Sequence, residues 1–171
     1  MTARHRKSAV TIDVIERAPS WRRALPAAPA ICRAAAAAAL TRGAGRLKGA
    51  EVSIVLADDA LSARLNRTYR GIPRPTNVLS FATAEPPRGA AALRLLGDVV
   101  LAYGTIAREA RAQGKSLADH LAHLVVHGVL HLLGFDHERD REARRMEALE
   151  VAVLAGLGIA DPYQAREPVH G

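Results

Sequence analysis

Two stretches of the chain alternate hydrophobic and polar residues, which is typical of a half-buried β-strand. The first runs from Ala9 to Glu16 and the second from Glu51 to Ala57. Two further segments, Asn77 to Thr83 and Asp98 to Tyr103, are also predicted to be strands. The pattern therefore predicts a sheet of about four strands.

Helices are predicted where apolar residues recur every three or four positions, or where alanine is concentrated. Side chains that can cap a first turn stand before three of them, at Asp58 or Asp59, Ser116 and Asp140. The predicted helices are Ile31 to Leu40, a helix from the first cap through Tyr69, Thr105 to Gln113, and the helices that follow Ser116 and Asp140. Strands interleaved with helices predict an α/β or α+β fold, with the helix after Ser116 packed on the sheet.

That helix carries the most informative pattern of the chain, in which His127, His131 and His137 are spaced His-x3-His-x5-His. Residues four apart on a helix lie on one face with Cβ atoms about 6 Å apart, so the first two rings can face one metal ion. Gly134 is predicted to end the helix, because glycine readily adopts the left-handed conformation found there, and His137 then approaches from outside. Three nitrogen ligands leave one position open, as in catalytic zinc sites. We therefore predict one Zn²⁺ per chain.

Hydrolysis is the natural reaction class, because zinc held by three neutral histidines lowers the pKa of its water to about 7. Zinc peptidases have a glutamate base after the first histidine, but this chain has Gly128. Asp136 either orients a ligand imidazole or helps to form the turn, and the sequence leaves both open. His120 and His123 lie one turn or more from His127, beyond coordination distance, so we expect them to pack or to support the ligands.

The composition is that of one domain, since 171 residues with 49% hydrophobic content can form a single core. We expect this domain to cover residues 1–160, with a polar C-terminal tail over 161–171. No apolar run approaches the roughly 20 residues that span a bilayer, so no membrane partner is expected. A single cysteine, Cys32, excludes an intramolecular disulfide and fits a reducing compartment. A cytoplasmic protein is expected.

The charge balance is basic, with 24 Lys and Arg against 17 Asp and Glu and a net charge of +7. Such a balance favours a polyanionic partner such as RNA, although an Arg-rich genome gives the same composition. Arg64, Arg67, Arg70 and Arg74 recur every three or four residues. A solvated charged face is the default interpretation of such a repeat.

Four segments carry a family resemblance. The segment His127-Gly-Val-Leu-His-Leu-Leu-Gly-Phe-Asp-His137 resembles the H-G-x-L-H-L-x-G-[YF]-D-H motif of the YbeY proteins, bacterial rRNA-maturation endoribonucleases. Tyr69-Arg70 with Pro75-Thr-Asn-Val-Leu-Ser-Phe81, and Leu96-Gly-Asp-Val-Val100, are similar to further segments of that family. The helix after the histidines fits as well, so the resemblance spans about residues 51–160.

The resemblance implies a small mixed sheet of about four strands and a zinc-dependent, single-strand-specific endoribonuclease. Its expected role is 16S rRNA 3′-end maturation and ribosome quality control, with single-stranded rRNA and the ribosome or its small subunit as partners. It implies that Arg70 lies near the metal and contacts RNA phosphate, so Arg70 and His127 are the candidate catalytic residues. Asn77 and Ser80, on the following strand, are candidate substrate-binding residues, although Asn77 can equally cap a turn.

Two other functions stay open. A zinc metallopeptidase-like hydrolase is disfavoured by Gly128, which removes the usual base. A ribosome-associated binding module, in which zinc only stabilises the fold, would be supported by a fourth protein ligand.

Overall fold

A computed structural model describes residues 10–45, 49–83, 94–136 and 138–164. In these ranges the strands are β1 (Thr11–Glu16), β2 (Ala50–Ala57), β3 (Val78–Ala82) and β4 (Arg94–Ala102). They form one sheet in the order β1-β2-β4-β3. The β1–β2 and β2–β4 pairs are parallel, and β3 runs antiparallel to β4 along the edge. The predicted mixed sheet of four strands is confirmed.

Six helices lie within the described ranges: α1 (Pro19–Ala24), α2 (Ala28–Ala44), α3 (Asp59–Arg70), α4 (Tyr103–Gln113), α5 (Leu117–Leu132) and α6 (Asp140–Gly156). Two predicted caps are confirmed, since Asp58 Oδ1 accepts from Leu61 N at 2.8 Å and Ser116 Oγ accepts from Asp119 N at 3.1 Å. The third is wrong, because Asp140 is already helical and no side chain caps α6. None of these helices combines the length and apolar character needed to cross a membrane.

The two faces of the sheet are covered by different helices. On one face α2, α5 and α6 form the main core with residues such as Ile54 and Leu101. On the other face α3 packs Leu61 and Leu65 against a smaller cluster that includes Leu79 and Val100. Neighbouring strand residues alternate between these cores, as the pleat of a strand requires. The histidine helix α5 and the arginine helix α3 therefore lie on opposite faces.

Helix α5 approaches the edge of the sheet closely at Gly128. A Cβ added to Gly128 would lie 2.6 Å from Val99 Cγ1 and 3.1 Å from Ser80 Oγ. The Ser80 hydroxyl donates a hydrogen bond of 3.0 Å to the Gly128 carbonyl. Packing against β3 and β4 therefore requires glycine here and leaves no room for the glutamate of a zinc peptidase.

Candidate metal centre

The imidazoles of His127 and His131 face each other on the last two turns of α5. Their Nε2 atoms are 3.1 Å apart. Two nitrogens on one tetrahedral zinc lie about 3.3 Å apart, because each Zn–N bond is about 2.0–2.1 Å long. The His127 side chain is 25% exposed, so the pair is accessible from solvent. The predicted i, i+4 pair thus has the spacing that a shared metal ion needs.

The helix ends where the sequence predicts, immediately before Gly134. Gly134 has φ +96°, and Phe135 N donates to the Leu130 carbonyl at 3.1 Å, which closes the last turn. His137, the third predicted ligand, lies outside the described residues. Within the described ranges, no group of three His, Cys, Asp or Glu side chains is arranged to hold a metal ion. His137 as the third ligand stays a prediction.

A buried carboxylate from α6 completes the environment of His127. Glu150 is 0% exposed, and its Oε1 lies 2.6 Å from His127 Nδ1. An ionised carboxylate at this distance accepts a hydrogen bond from Nδ1–H, so in the neutral imidazole the Nε2 of His127 carries the lone pair. Its other oxygen, Oε2, accepts a short hydrogen bond from the Tyr163 hydroxyl. Metal-binding histidines commonly have such a partner, which orients the ring and raises its basicity.

The electrostatics keep Glu150 ionised and Tyr163 protonated. Burial raises the pKa of Glu150, but the nearby His123 imidazole and the hydrogen bonds from His127 and Tyr163 outweigh burial and lower its pKa to about 2. Burial and the neighbouring Glu150 carboxylate raise the pKa of Tyr163 above its ordinary value. At neutral pH the site therefore holds one buried anion, which is placed against the imidazole that faces His131.

Glu150 and Tyr163 are not among the site residues predicted from the sequence. Glu150 interrupts a buried stripe on α6 that contains Met146 and Val153, and a carboxylate at a core position is a signal that needs explanation. Asp136, the acid considered instead, accepts a hydrogen bond from Glu138 N at 3.2 Å, as a turn-forming residue does. This bond fits the turn interpretation for Asp136, while its action on a ligand imidazole stays a prediction.

His120 and His123 lie further towards the start of α5. His120 is 3% exposed, and its Nε2 is 3.0 Å from Glu109 Oε1 on α4. His123 Nε2 is 3.2 Å from the Tyr163 hydroxyl and 3.7 Å from Glu150 Oε1. Both therefore occupy the packing and supporting positions that the sequence indicates.

The candidate substrate-binding residues on β3 and before it make hydrogen bonds within the protein. The Asn77 amide donates to Glu109 Oε1 at 3.0 Å, and its oxygen accepts from Val78 N at 2.7 Å. Ser80 bonds to α5, as described above. The Ser80 bond reaches the residue that follows His127, whereas the Asn77 bond reaches Glu109, the partner of His120. The contribution of either residue to substrate binding stays a prediction.

Arg70 is the last residue of α3 and is exposed. It lies on the opposite face of the sheet from α5, and its guanidinium makes no hydrogen bond or ion pair with any described residue. Arg64, Arg67 and Arg74 are also exposed. The solvated charged face expected for this repeat is therefore confirmed, while the proximity of Arg70 to the metal stays a prediction.

A mixed α/β fold with a carboxylate-supported histidine pair defines a candidate metal-dependent protein, and comparison with known sequences identifies its family. The sequence model of the family described as Endoribonuclease YbeY matches residues 28–158. The chain therefore belongs to the YbeY family.

Curated relatives agree with this assignment. The Endoribonuclease YbeY of Paramagnetospirillum magneticum is 57% identical over 150 residues, which cover 85% of this chain and 90% of the relative. That of Parvibaculum lavamentivorans is 53% identical over 169 residues, which cover 94% and 89%. Among solved structures, the solution structure of TM1509 from Thermotoga maritima aligns with 92% of this chain and 100% of its own, at 20% identity and a TM-score of 0.49. The family membership rests on the sequence matches.

Proposed function

We propose that this chain is a zinc-dependent endoribonuclease that cleaves single-stranded rRNA in 16S rRNA 3′-end maturation and ribosome quality control. The observation that carries the proposal is the histidine pair, with Nε2 atoms 3.1 Å apart and with Nδ1 of His127 bonded to a buried carboxylate. Its curated relatives are named Endoribonuclease YbeY, which supports RNA as the substrate. The rRNA and quality-control roles rest on the motif resemblance.

His127, His131 and His137 would hold one zinc ion per chain. The bound ion would supply acidified water and a Lewis acid for a phosphoryl oxygen. Glu150 keeps the His127 ring in one tautomer and one orientation, so the lone pair of Nε2 is directed to the metal. His127 would thus take part in catalysis through its contact with the zinc ion.

Arg70 is proposed to bind the substrate phosphate and to stabilise the charge that develops during cleavage. A guanidinium without a described protein partner is available for this role, and its planar fork matches two phosphate oxygens. The net charge of +7 favours association with RNA. Asn77 and Ser80 are proposed to assist substrate binding next to the histidine pair.

The two other functions are less well supported. A peptidase needs a base that the Gly128 packing excludes, since a Cβ there would lie 2.6 Å from Val99. A zinc-stabilised binding module needs four protein ligands, and the described residues supply two facing imidazoles.

The cytoplasm and the small ribosomal subunit are the proposed compartment and partner. The chain has a single cysteine, Cys32, and therefore no intramolecular disulfide, which fits a reducing compartment.

The test is to incubate the zinc-loaded protein with labelled single-stranded RNA, with the same RNA annealed to its complement, and with casein. We expect cleavage of the single strand alone, loss of cleavage after chelation, and recovery after zinc is added back. Cleavage of casein would support the peptidase instead. Binding of RNA without cleavage by the zinc-loaded protein would support the binding module.

A further inference from the structure

The face of the sheet that carries α3 has an exposed aromatic pair. Tyr69, in the last turn of α3, is 68% exposed, the largest value among the exposed large hydrophobic residues of the described ranges. Its ring centroid is 4.9 Å from that of Phe81 on β3, with 53° between the ring planes. Phe81 thus supports one part of the Tyr69 ring, and most of the ring stays in solvent. An aromatic side chain held in this way is a stacking surface.

A shallow cavity of about 520 Å³ lies beside this pair, between α3 and strands β2 and β4. Its floor is apolar and includes Val55 and Val100, and Arg17 and Arg64 line it as well. Two carboxylates, Asp58 and Asp98, also line it. Carboxylates of this kind accept hydrogen bonds from the amino groups of a nucleobase. The two arginines and the two carboxylates balance in charge, and together with the apolar floor they suit an uncharged base better than a phosphate.

Exposed arginines follow one another along α3, next to the cavity. Arg64, Arg67 and Arg70 are exposed on this helix. The acid in its first turn, Asp59, accepts hydrogen bonds from Thr105 and from Arg108. The positive charge of the helix surface is therefore not neutralised from within α3. Aromatic rings next to a basic track are the combination that binds single-stranded nucleic acid.

We propose that Tyr69 and Phe81 form a base-stacking subsite for single-stranded RNA, with the adjacent cavity receiving the base and the α3 arginines binding the flanking phosphates. This inference rests on the proposed function and assigns part of its substrate binding to the face opposite α5. An unpaired base is free to stack on Tyr69, whereas a base in a duplex is already stacked. The subsite thus gives a physical reason for single-strand preference.

Strand β3 links this subsite to the histidine pair. Consecutive side chains of a strand point to opposite faces, so Phe81 contacts Tyr69 while its neighbour Ser80 contacts α5 at Gly128. β3 is the last strand of the sheet order, so within the described ranges no further strand separates the two faces there. An RNA strand that passes around this edge reaches from Tyr69 to His127.

The test measures binding of a short labelled single-stranded RNA to the metal-free protein, so that cleavage does not interfere. Tyr69→Ala should weaken binding by roughly 5- to 100-fold, the loss of one stacked base. Tyr69→Trp should restore binding because it keeps a stacking ring. Ile15→Ala is the matched control: it removes another exposed apolar side chain, which lies on β1 outside the cavity, and binding should not change.

A second measurement uses the wild type alone, so that it does not depend on how a variant folds. RNA containing 4-thiouridine should form ultraviolet crosslinks to peptides that contain Tyr69 or Phe81, and crosslinks confined to other peptides would overturn the subsite. Wild-type affinity of Tyr69→Ala, in a protein whose wild type cleaves RNA, would overturn the subsite and leave the proposed function intact. A zinc-loaded wild type that neither binds nor cleaves RNA would overturn both.

Discussion

Glu150 Oε1 lies 2.6 Å from His127 Nδ1, across the interface between α6 and α5, and the Glu150 side chain is inaccessible to solvent. A buried carboxylate is stable only when its oxygens are paired, and here Tyr163 takes the second oxygen. The arrangement fixes the tautomer of the imidazole that faces His131. In many zinc proteins a carboxylate bonds to a histidine that in turn binds the metal ion, and the three groups form a common triad.

Glu150→Gln should lower the affinity for zinc by roughly 10- to 100-fold, the usual effect of losing such a partner. The amide keeps the shape of the side chain but removes the charge that supports the imidazole. Zinc affinity can be measured by competition with a chromogenic chelator. Glu147→Gln is the matched control, because Glu147 is exposed on the same helix. Equal zinc affinity in Glu150→Gln and Glu147→Gln would contradict the positioning role.

Gly128→Ala should lower the free energy of unfolding by about 1–3 kcal/mol, the usual cost of overpacking a core. The added methyl group would lie 2.6 Å from Val99 Cγ1. Gly156→Ala on α6 is the control, since its Cβ would meet no atom within 4 Å. There alanine should leave stability unchanged or raise it by less than about 1 kcal/mol. Urea denaturation of both variants measures the difference, and equal stabilities would refute the close packing of α5.

Arg70→Ala should reduce RNA cleavage while the zinc content stays that of the wild type, because a guanidinium contributes phosphate binding rather than coordination. Loss of one contact to a single strand should also flatten the log-log salt dependence of binding by about 0.7. Arg111→Ala, which removes an exposed positive charge from α4, is the comparison. If the two variants behaved alike in cleavage and in salt slope, Arg70 would have no special role.

His120 should stay neutral below its ordinary pKa of 6.5. Burial lowers its pKa most; Glu109 raises it, and His123 and Lys115 lower it further. Because the folded-state pKa is depressed, the stability that His120 contributes is present above pH 6.5 and is lost as the pH falls through the folded pKa. A proton NMR titration of the metal-free protein measures this value. A midpoint at or above 6.5 would show that Glu109, not burial, dominates.

Much of the fold and half of the site could be predicted from local sequence. The pair His127 and His131 depends only on helix periodicity, and the caps at Asp58 and Ser116 depend only on neighbouring residues. Glu150 could not be predicted, because its contact with His127 depends on how α6 packs against α5 after an intervening turn.

Two other features could not be predicted from the local sequence, for similar reasons. Helix α1 has six residues, which are too few turns for a periodic pattern. Its Trp21 is buried, and the Nε1 of this residue donates a hydrogen bond to the Ala57 carbonyl. The packing reason for Gly128 requires the position of Val99, which lies 29 residues earlier in the chain. Contacts of this kind are set by tertiary structure and leave no local signal.

The most direct test of the account is the zinc content of the purified wild type and of His127→Ala, His131→Ala and His137→Ala after dialysis against a weak chelator. We predict about one zinc per wild-type chain and a large loss in each variant, because three nitrogens are needed to hold the ion with one position open. His131→Ala or His137→Ala with one tightly bound zinc per chain would contradict the three-histidine centre.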